Sequence, residues 1–143
     1  MLNTALAPWP DYSAEEVAAV ARVLASNRVN YWTGEECRHF EREYAQWVGV
    51  DHAIALANGS LAIELALRGL GIGPGDEVIV TPRSFMASAS SVPLVGAVPV
   101  FADVDPETQG LSAETISAAL SPRTRAVILV HLAGRPCDMD PIM

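Results

Sequence analysis

Lysine is absent from all 143 residues, and each of the nine basic side chains is an arginine. Arginine stays protonated in proteins, so the chain offers no side-chain amine that could act as a nucleophile toward a carbonyl. Cysteine is nearly absent as well. Cys37 and Cys137 stand far apart without metal-ligand spacing, which gives no support to a zinc site or a redox pair and reads as two reduced thiols. Positive charge is scarce, with a net charge of −8 and a pI near 4.7. That balance argues against a nucleic-acid binder, whose non-specific affinity comes from clustered Lys and Arg. It leaves room for a small anionic ligand held by local donors. Long apolar runs are missing too: the longest, residues 92–102, is broken by Pro93 and Pro99 and falls short of the roughly 20 residues that span a bilayer. No membrane span is expected. The first eight residues lack the basic start and the sustained apolar core of a secretion signal, so a cytoplasmic location is the default expectation.

Half of the residues are apolar, enough for a substantial core. Ser13-Ala14-Glu15-Glu16 has the pattern of a capping box, and Val17, Val20, Ala21 and Leu24 follow at helical spacing, which predicts a helix over residues 14–25. An irregular segment with adjacent Tyr31 and Trp32 comes next. A second helix is predicted over residues 35–48, where Cys37, Phe40, Tyr44, Trp47 and Val48 share one face and Glu35-Glu36 suits the helix dipole.

From His52 the texture changes to short apolar runs alternating with helical patterns, the mark of βαβ units and a largely parallel sheet. Four strands are predicted: residues 53–56, 77–81, 98–102 and 126–132. Helices are predicted between them. One begins after Asn58-Gly59-Ser60 and ends at Gly71, one runs over residues 85–94 with its end blurred by Val92-Pro93, and one is capped by Ser112. A further helix is expected to start at Asp140-Pro141. A parallel sheet interrupted there leaves apolar surface for later elements to cover, so the chain is expected to be a piece of a larger domain.

Two segments could carry chemistry. Ala57-Asn58-Gly59-Ser60-Leu61 joins a predicted strand to a helix, and the first amides of a helix lack internal partners and can hold a phosphate. Gly59 lets the chain approach an anion closely, and Ser60 adds a hydroxyl. The plainer reading, a tight Asn58-Gly59 turn with Ser60 as a helix cap, stays open. Neither a dinucleotide fingerprint nor a P-loop is present. Ser84-Phe85 follows the next strand, at the sheet edge where ligands of open α/β folds gather, and an aromatic there can stack on a planar group or sit in the core. Asp103 and Asp105, followed by Pro-Glu-Thr, suit turn and capping roles better than acid/base work. His131, inside an apolar strand, reads as a core histidine, and His39 and His52 have no convergent partners. No catalytic residue and no metal ligand is assigned. For Trp32-Thr33-Gly34, lining a pocket and anchoring the N-terminal arm are equally compatible with the sequence.

Taken in order, Asn30-Tyr31-Trp32-Thr33-Gly34, Ala57-Asn58-Gly59-Ser60, Gly71-Ile72-Gly73-Pro74-Gly75-Asp76-Glu77-Val78-Ile79-Val80, Ser84-Phe85-Met86-Ala87-Ser88-Ala89, Val100-Phe101-Ala102-Asp103-Val104-Asp105 and Val130-His131-Leu132-Ala133-Gly134 resemble the DegT/DnrJ/StrS-type sugar aminotransferases. The resemblance implies an α/β fold, the partial large domain of a type I aminotransferase with a mostly parallel sheet preceded by N-terminal helices. Residues 1–34 would form an N-terminal arm and helix, and residues 35–143 the first, incomplete part of the cofactor-binding large domain. It also implies pyridoxal 5'-phosphate as cofactor, a homodimer, and amino transfer from an amino acid, commonly glutamate, to a keto sugar nucleotide in surface polysaccharide or related sugar synthesis.

On the same resemblance, Gly59, Ser60 and the Leu61 amide match the turn that holds the cofactor phosphate, and Phe85 matches the ring that stacks on the pyridine. Ser84 and Trp32-Thr33-Gly34 match neighbouring positions less closely. The family's lysine and the carboxylate that pairs with the pyridine nitrogen are expected beyond Met143, so this chain alone is expected to be inactive and to hold the cofactor weakly. Some relatives carry histidine in place of that lysine and dehydrate sugars instead, and a truncated, non-catalytic paralogue is the third alternative.

Overall fold

The computed structural model describes residues 8–143; the reading of the first seven residues lies outside the described residues. The chain divides into two compact units, Met1–Ala55 and Leu56–Met143.

Among the described residues the first unit holds two helices. In α1 (Ala14–Ala25) the predicted capping box is present: the Ser13 amide donates to Glu16 Oε2 at 2.7 Å, and the Glu16 amide donates to Ser13 Oγ at 3.2 Å. These bonds satisfy donors that a helix start leaves unpaired, and the bond from the Ser13 amide holds the Glu16 carboxyl below its ordinary pKa. Helix α2 (Glu36–Val48) begins one residue later than predicted and stops at Gly49, which takes the left-handed conformation of a C-cap. Between the helices Asn30 organises a turn. Its side-chain oxygen accepts from the amides of Trp32 and Thr33, each at 3.0 Å, while the Gly34 amide reaches Asn30 O. Gly34 is required there, because a Cβ would lie 2.4 Å from the Arg28 carbonyl oxygen.

The second unit is an α/β layer structure. Its strands β1 (Glu77–Val80), β2 (Val98–Phe101) and β3 (Thr124–Ile128) form a parallel sheet in the order β2-β1-β3, as the alternating pattern predicts. Helix α3 (Gly59–Gly69) precedes β1, α4 (Ala87–Leu94) links β1 to β2, and α5 (Ala113–Ala119) links β2 to β3. Strand alternation divides the core. Val78 and Val80 pack with Leu67 of α3 and Val92 of α4 on one face, and Ile79 packs with Leu111 and Ile116 on the other. Helices α3 and α4 therefore cover the same side of the sheet.

The predicted strand over residues 53–56 is not formed. The segment pairs with no strand among the described residues, and the Ala55 amide is satisfied instead by the Glu41 carboxylate at 2.9 Å. The last strand is also shorter than predicted. Its pairing ends at Ile128, opposite Val80, where β1 runs out. Beyond it the chain makes one helical turn at Leu132–Gly134, and near Pro141 a single turn closes with the Met143 amide on Met139 O.

At the amino end of the sheet the Glu77 carboxylate is buried. It accepts from Arg123 Nε at 2.8 Å and from Ser121 Oγ at 2.5 Å, tying the start of β1 to the approach to β3. The Ser121 hydrogen bond, followed by that of Arg123, holds its carboxyl below the usual range.

Candidate functional site

The site grows from the amino ends of α3 and α4. Two contacts join these helices, Ser91 Oγ to Ser60 O at 3.4 Å and Arg68 Nη2 to Leu94 O at 3.0 Å. Ser60, at the start of α3, thus meets the middle of α4, and Arg68, near the end of α3, meets its last residue, so the helices run in the same general sense and start toward the same end of the unit. Because α4 returns from the carboxyl end of β1, that end is also the strand-carboxyl edge, where open α/β sheets bind ligands.

Asn58, not Ser60, caps α3. Its side chain accepts from the Leu61 amide at 3.0 Å, and Ala62 returns to Asn58 O. The Leu61 amide is therefore occupied by the cap, while the amides of Gly59 and Ser60, the first two of the helix, have no helical acceptor. Both residues are exposed, and a Cβ at Gly59 would meet nothing within 4 Å. An anion can reach this turn without displacing protein atoms.

Ser84 and Phe85 follow β1, and α4 starts at Ala87, two residues later than predicted. The core role left open for Phe85 does not hold, since its side chain is 77% exposed. Ser84 is half-buried, with its Oγ 2.8 Å from Ser88 Oγ. The Ser84–Ser88 pair was not singled out in the sequence, although its four-residue spacing at a helix start was visible there.

The other candidates disperse. Asp105 works as a turn residue, accepting from the amides of Thr108 at 2.7 Å and Glu107 at 3.1 Å. The Thr108 bond is the main cause of its lowered pKa. Asp103 lines a separate groove of about 410 Å3 with Phe101 and Glu114. His131 is exposed and lies beyond β3, its Nδ1 accepting from the Cys137 amide at 3.1 Å, so the core reading fails because the ladder ends three residues earlier. Both cysteines are free, Cys37 exposed and Cys137 buried. Among the described residues no cluster of His, Cys, Asp or Glu could hold a metal ion, and no helix is long and apolar enough to cross a membrane.

Unpaired amides at Gly59 and Ser60 and an exposed ring at Phe85 are features that an open α/β domain can turn to a small anionic or planar ligand. Residues 10–143 match the DegT/DnrJ/EryC1/StrS aminotransferase family, and the chain belongs to it. It is 53% identical over 104 residues to the GDP-perosamine synthase of Caulobacter vibrioides, a match covering 73% of this chain and 28% of that protein. The crystal structure of an aminotransferase from Psychrobacter cryohalolentis superposes with a TM-score of 0.93 at 57% identity, covering 96% of this chain and 35% of that one. NtdA from Bacillus subtilis, solved with the cofactor PMP bound, superposes with a TM-score of 0.84 at 29% identity, over 98% of this chain and 34% of its own. The fold is thus that of the aminotransferases, in part: the chain spans about a third of the length of these relatives.

Proposed function

We propose that this chain supplies the phosphate and ring seats for pyridoxal 5'-phosphate in an aminotransferase that acts on a keto sugar nucleotide. The observation that carries the reading is that α3 and α4 cover one face of the sheet, with unpaired amides at the start of α3 and an exposed aromatic just before α4. Gly59 and Ser60 would take the phosphate through their amides and the Ser60 hydroxyl, with the Leu61 amide shared between the phosphate and the Asn58 cap. Phe85 would lie against the pyridine, and the Ser84 hydroxyl would stand beside the ring's edge. When bound, the cofactor supplies an electron sink for bonds broken at the amino-bearing carbon.

These residues bind and orient. None of them can carry a proton between substrate and cofactor, because none titrates near neutrality. The relative named for making GDP-perosamine supports a nucleotide-linked amino sugar as product, and hence a role in surface polysaccharide or related sugar synthesis. The reading includes glutamate as amino donor, a homodimer, a cytoplasmic location, and the assignment of residues 35–143 to the cofactor-binding large domain.

Pyridoxamine phosphate tests the seats directly, since it needs no lysine to bind. Titrated into the chain and followed by ligand-observed NMR, it is expected to bind weakly and saturably. The double variant Ser60→Ala, Phe85→Ala should lose at least about tenfold in affinity. Unchanged affinity in the double variant would remove the assignment of the pocket to these residues.

A further inference from the structure

Phe85 presents an open ring without packing to hold it. The segment Ser84-Phe85-Met86 precedes α4, and Met86, the N-cap, makes no side-chain capping bond. The Ala89 and Ser90 amides hold the Met86 carbonyl, and the residues before it are held by one residue a turn further on. Ser88 is 7% exposed; its amide donates to the Phe85 carbonyl oxygen at 3.1 Å and its hydroxyl pairs with Ser84 Oγ at 2.8 Å. The two bonds straddle Phe85, one to its own carbonyl and one to the residue before it. A hydroxyl this buried is costly to leave unpaired, so the Ser84–Ser88 contact resists breaking. Stacking depends on where the ring stands, and the backbone fixes the position of its Cβ and the χ1 rotamers open to it.

We infer that Ser88 is a positioning residue for the Phe85 platform: it touches no ligand itself but sets the direction in which the ring and the Ser84 hydroxyl face the pyridine. The inference rests on the proposed cofactor seat.

The test uses the whole chain with two ligands, pyridoxamine phosphate and inorganic phosphate, titrated by ligand-observed NMR. Ser88→Ala keeps the amide bond and removes the hydroxyl. It is expected to weaken pyridoxamine phosphate about fivefold, the effect of one neutral hydrogen bond, while inorganic phosphate binds as before. Ser88→Thr, which retains a hydroxyl, should restore the affinity. Amide 15N relaxation should show residues 84–86 becoming more mobile in Ser88→Ala and returning to normal in Ser88→Thr. Equal losses for both ligands would mean a general structural defect, and unchanged affinity with unchanged mobility would mean no role; either overturns the inference. Should Ser88→Ala fail to fold, Ser88→Cys, which keeps the volume of the side chain but offers a much weaker hydrogen bond to Ser84, is read in the same way. If the wild-type chain binds phosphate but not pyridoxamine phosphate, the ring seat itself falls and the inference falls with it. If the wild type binds both and only the Ser88 variants are silent, the seat stands and the positioning role does not.

Discussion

The two units of this chain use their apolar residues in opposite ways. In Leu56–Met143, Val78, Ile79, Val80 and Val92 have no exposure at all, whereas in Met1–Ala55 the one buried apolar side chain among the described residues is Ala45. Val17, Val20 and Leu24 of α1 repeat at helical spacing yet stay open, as do Phe40, Tyr44 and Trp47 of α2, whose rings step along the helix at centroid distances of 5.6 and 5.7 Å. The first unit is thus specified by local devices, a capping box and a glycine C-cap. The second is specified by contacts between residues far apart in sequence. Local signals set where a helix starts and stops, while burial decides how much each side chain matters.

Substitution at matched apolar positions should expose that contrast most sharply. Ile79→Ala removes a fully buried side chain from the central strand and should destabilise the second unit by about 2–5 kcal/mol. Val20→Ala, at a position 61% exposed, should stay within about 0.5 kcal/mol. Urea unfolding followed by circular dichroism gives both values, and similar losses at the two sites would erase the distinction between the units.

The Glu77 carboxylate sharpens the comparison through pH. Its pKa is lowered in the folded chain by Ser121 and Arg123, so its contribution is complete above the carboxylate's ordinary pKa and disappears as pH falls through the lowered folded value. Glu77→Gln should therefore unfold more easily than wild type at neutral pH, with the gap between the two narrowing on acidification below about pH 4. A gap that stayed constant down to pH 2 would mean that the ionised form of Glu77 does no stabilising work.

The same contrast explains what could be read in advance. Elements with a local mark were legible: Ser13 and Ser112 as caps, Gly71 at a helix end, and the strand beginning at Glu77. Elements that depend on a partner were not. Residues 53–56 have a strand's composition but no ladder, and the third strand ends where its neighbour does, a limit that no residue of β3 announces. The site divides in the same way. The exposed helix start at Gly59-Ser60 and the turn after β1 that carries Phe85 were legible because turn chemistry and a strand end mark them. The occupation of the Leu61 amide by Asn58 and the buried Ser84–Ser88 pair depend on rotamers and burial, which spacing does not encode.

The smallest expected effect tests whether the first unit is as local as it looks. Ser13→Ala removes one half of the capping box and should cost about 1 kcal/mol, felt by α1 alone. Amide exchange should quicken in the first turn of α1, while the amides of Val78, Ile79 and Val80 keep wild-type protection. Acid should act in the same direction, because the Glu16 carboxyl is held low by the Ser13 amide and its contribution is lost as pH falls through that lowered value. In Ser13→Ala the Glu16 carboxylate can still accept from the residue 13 amide, so acid should loosen α1 further in the variant. If exchange at Val78–Val80 rose together with that of α1, the two units would unfold as one, and the contrast between local and long-range specification would describe their sequences but not their stability.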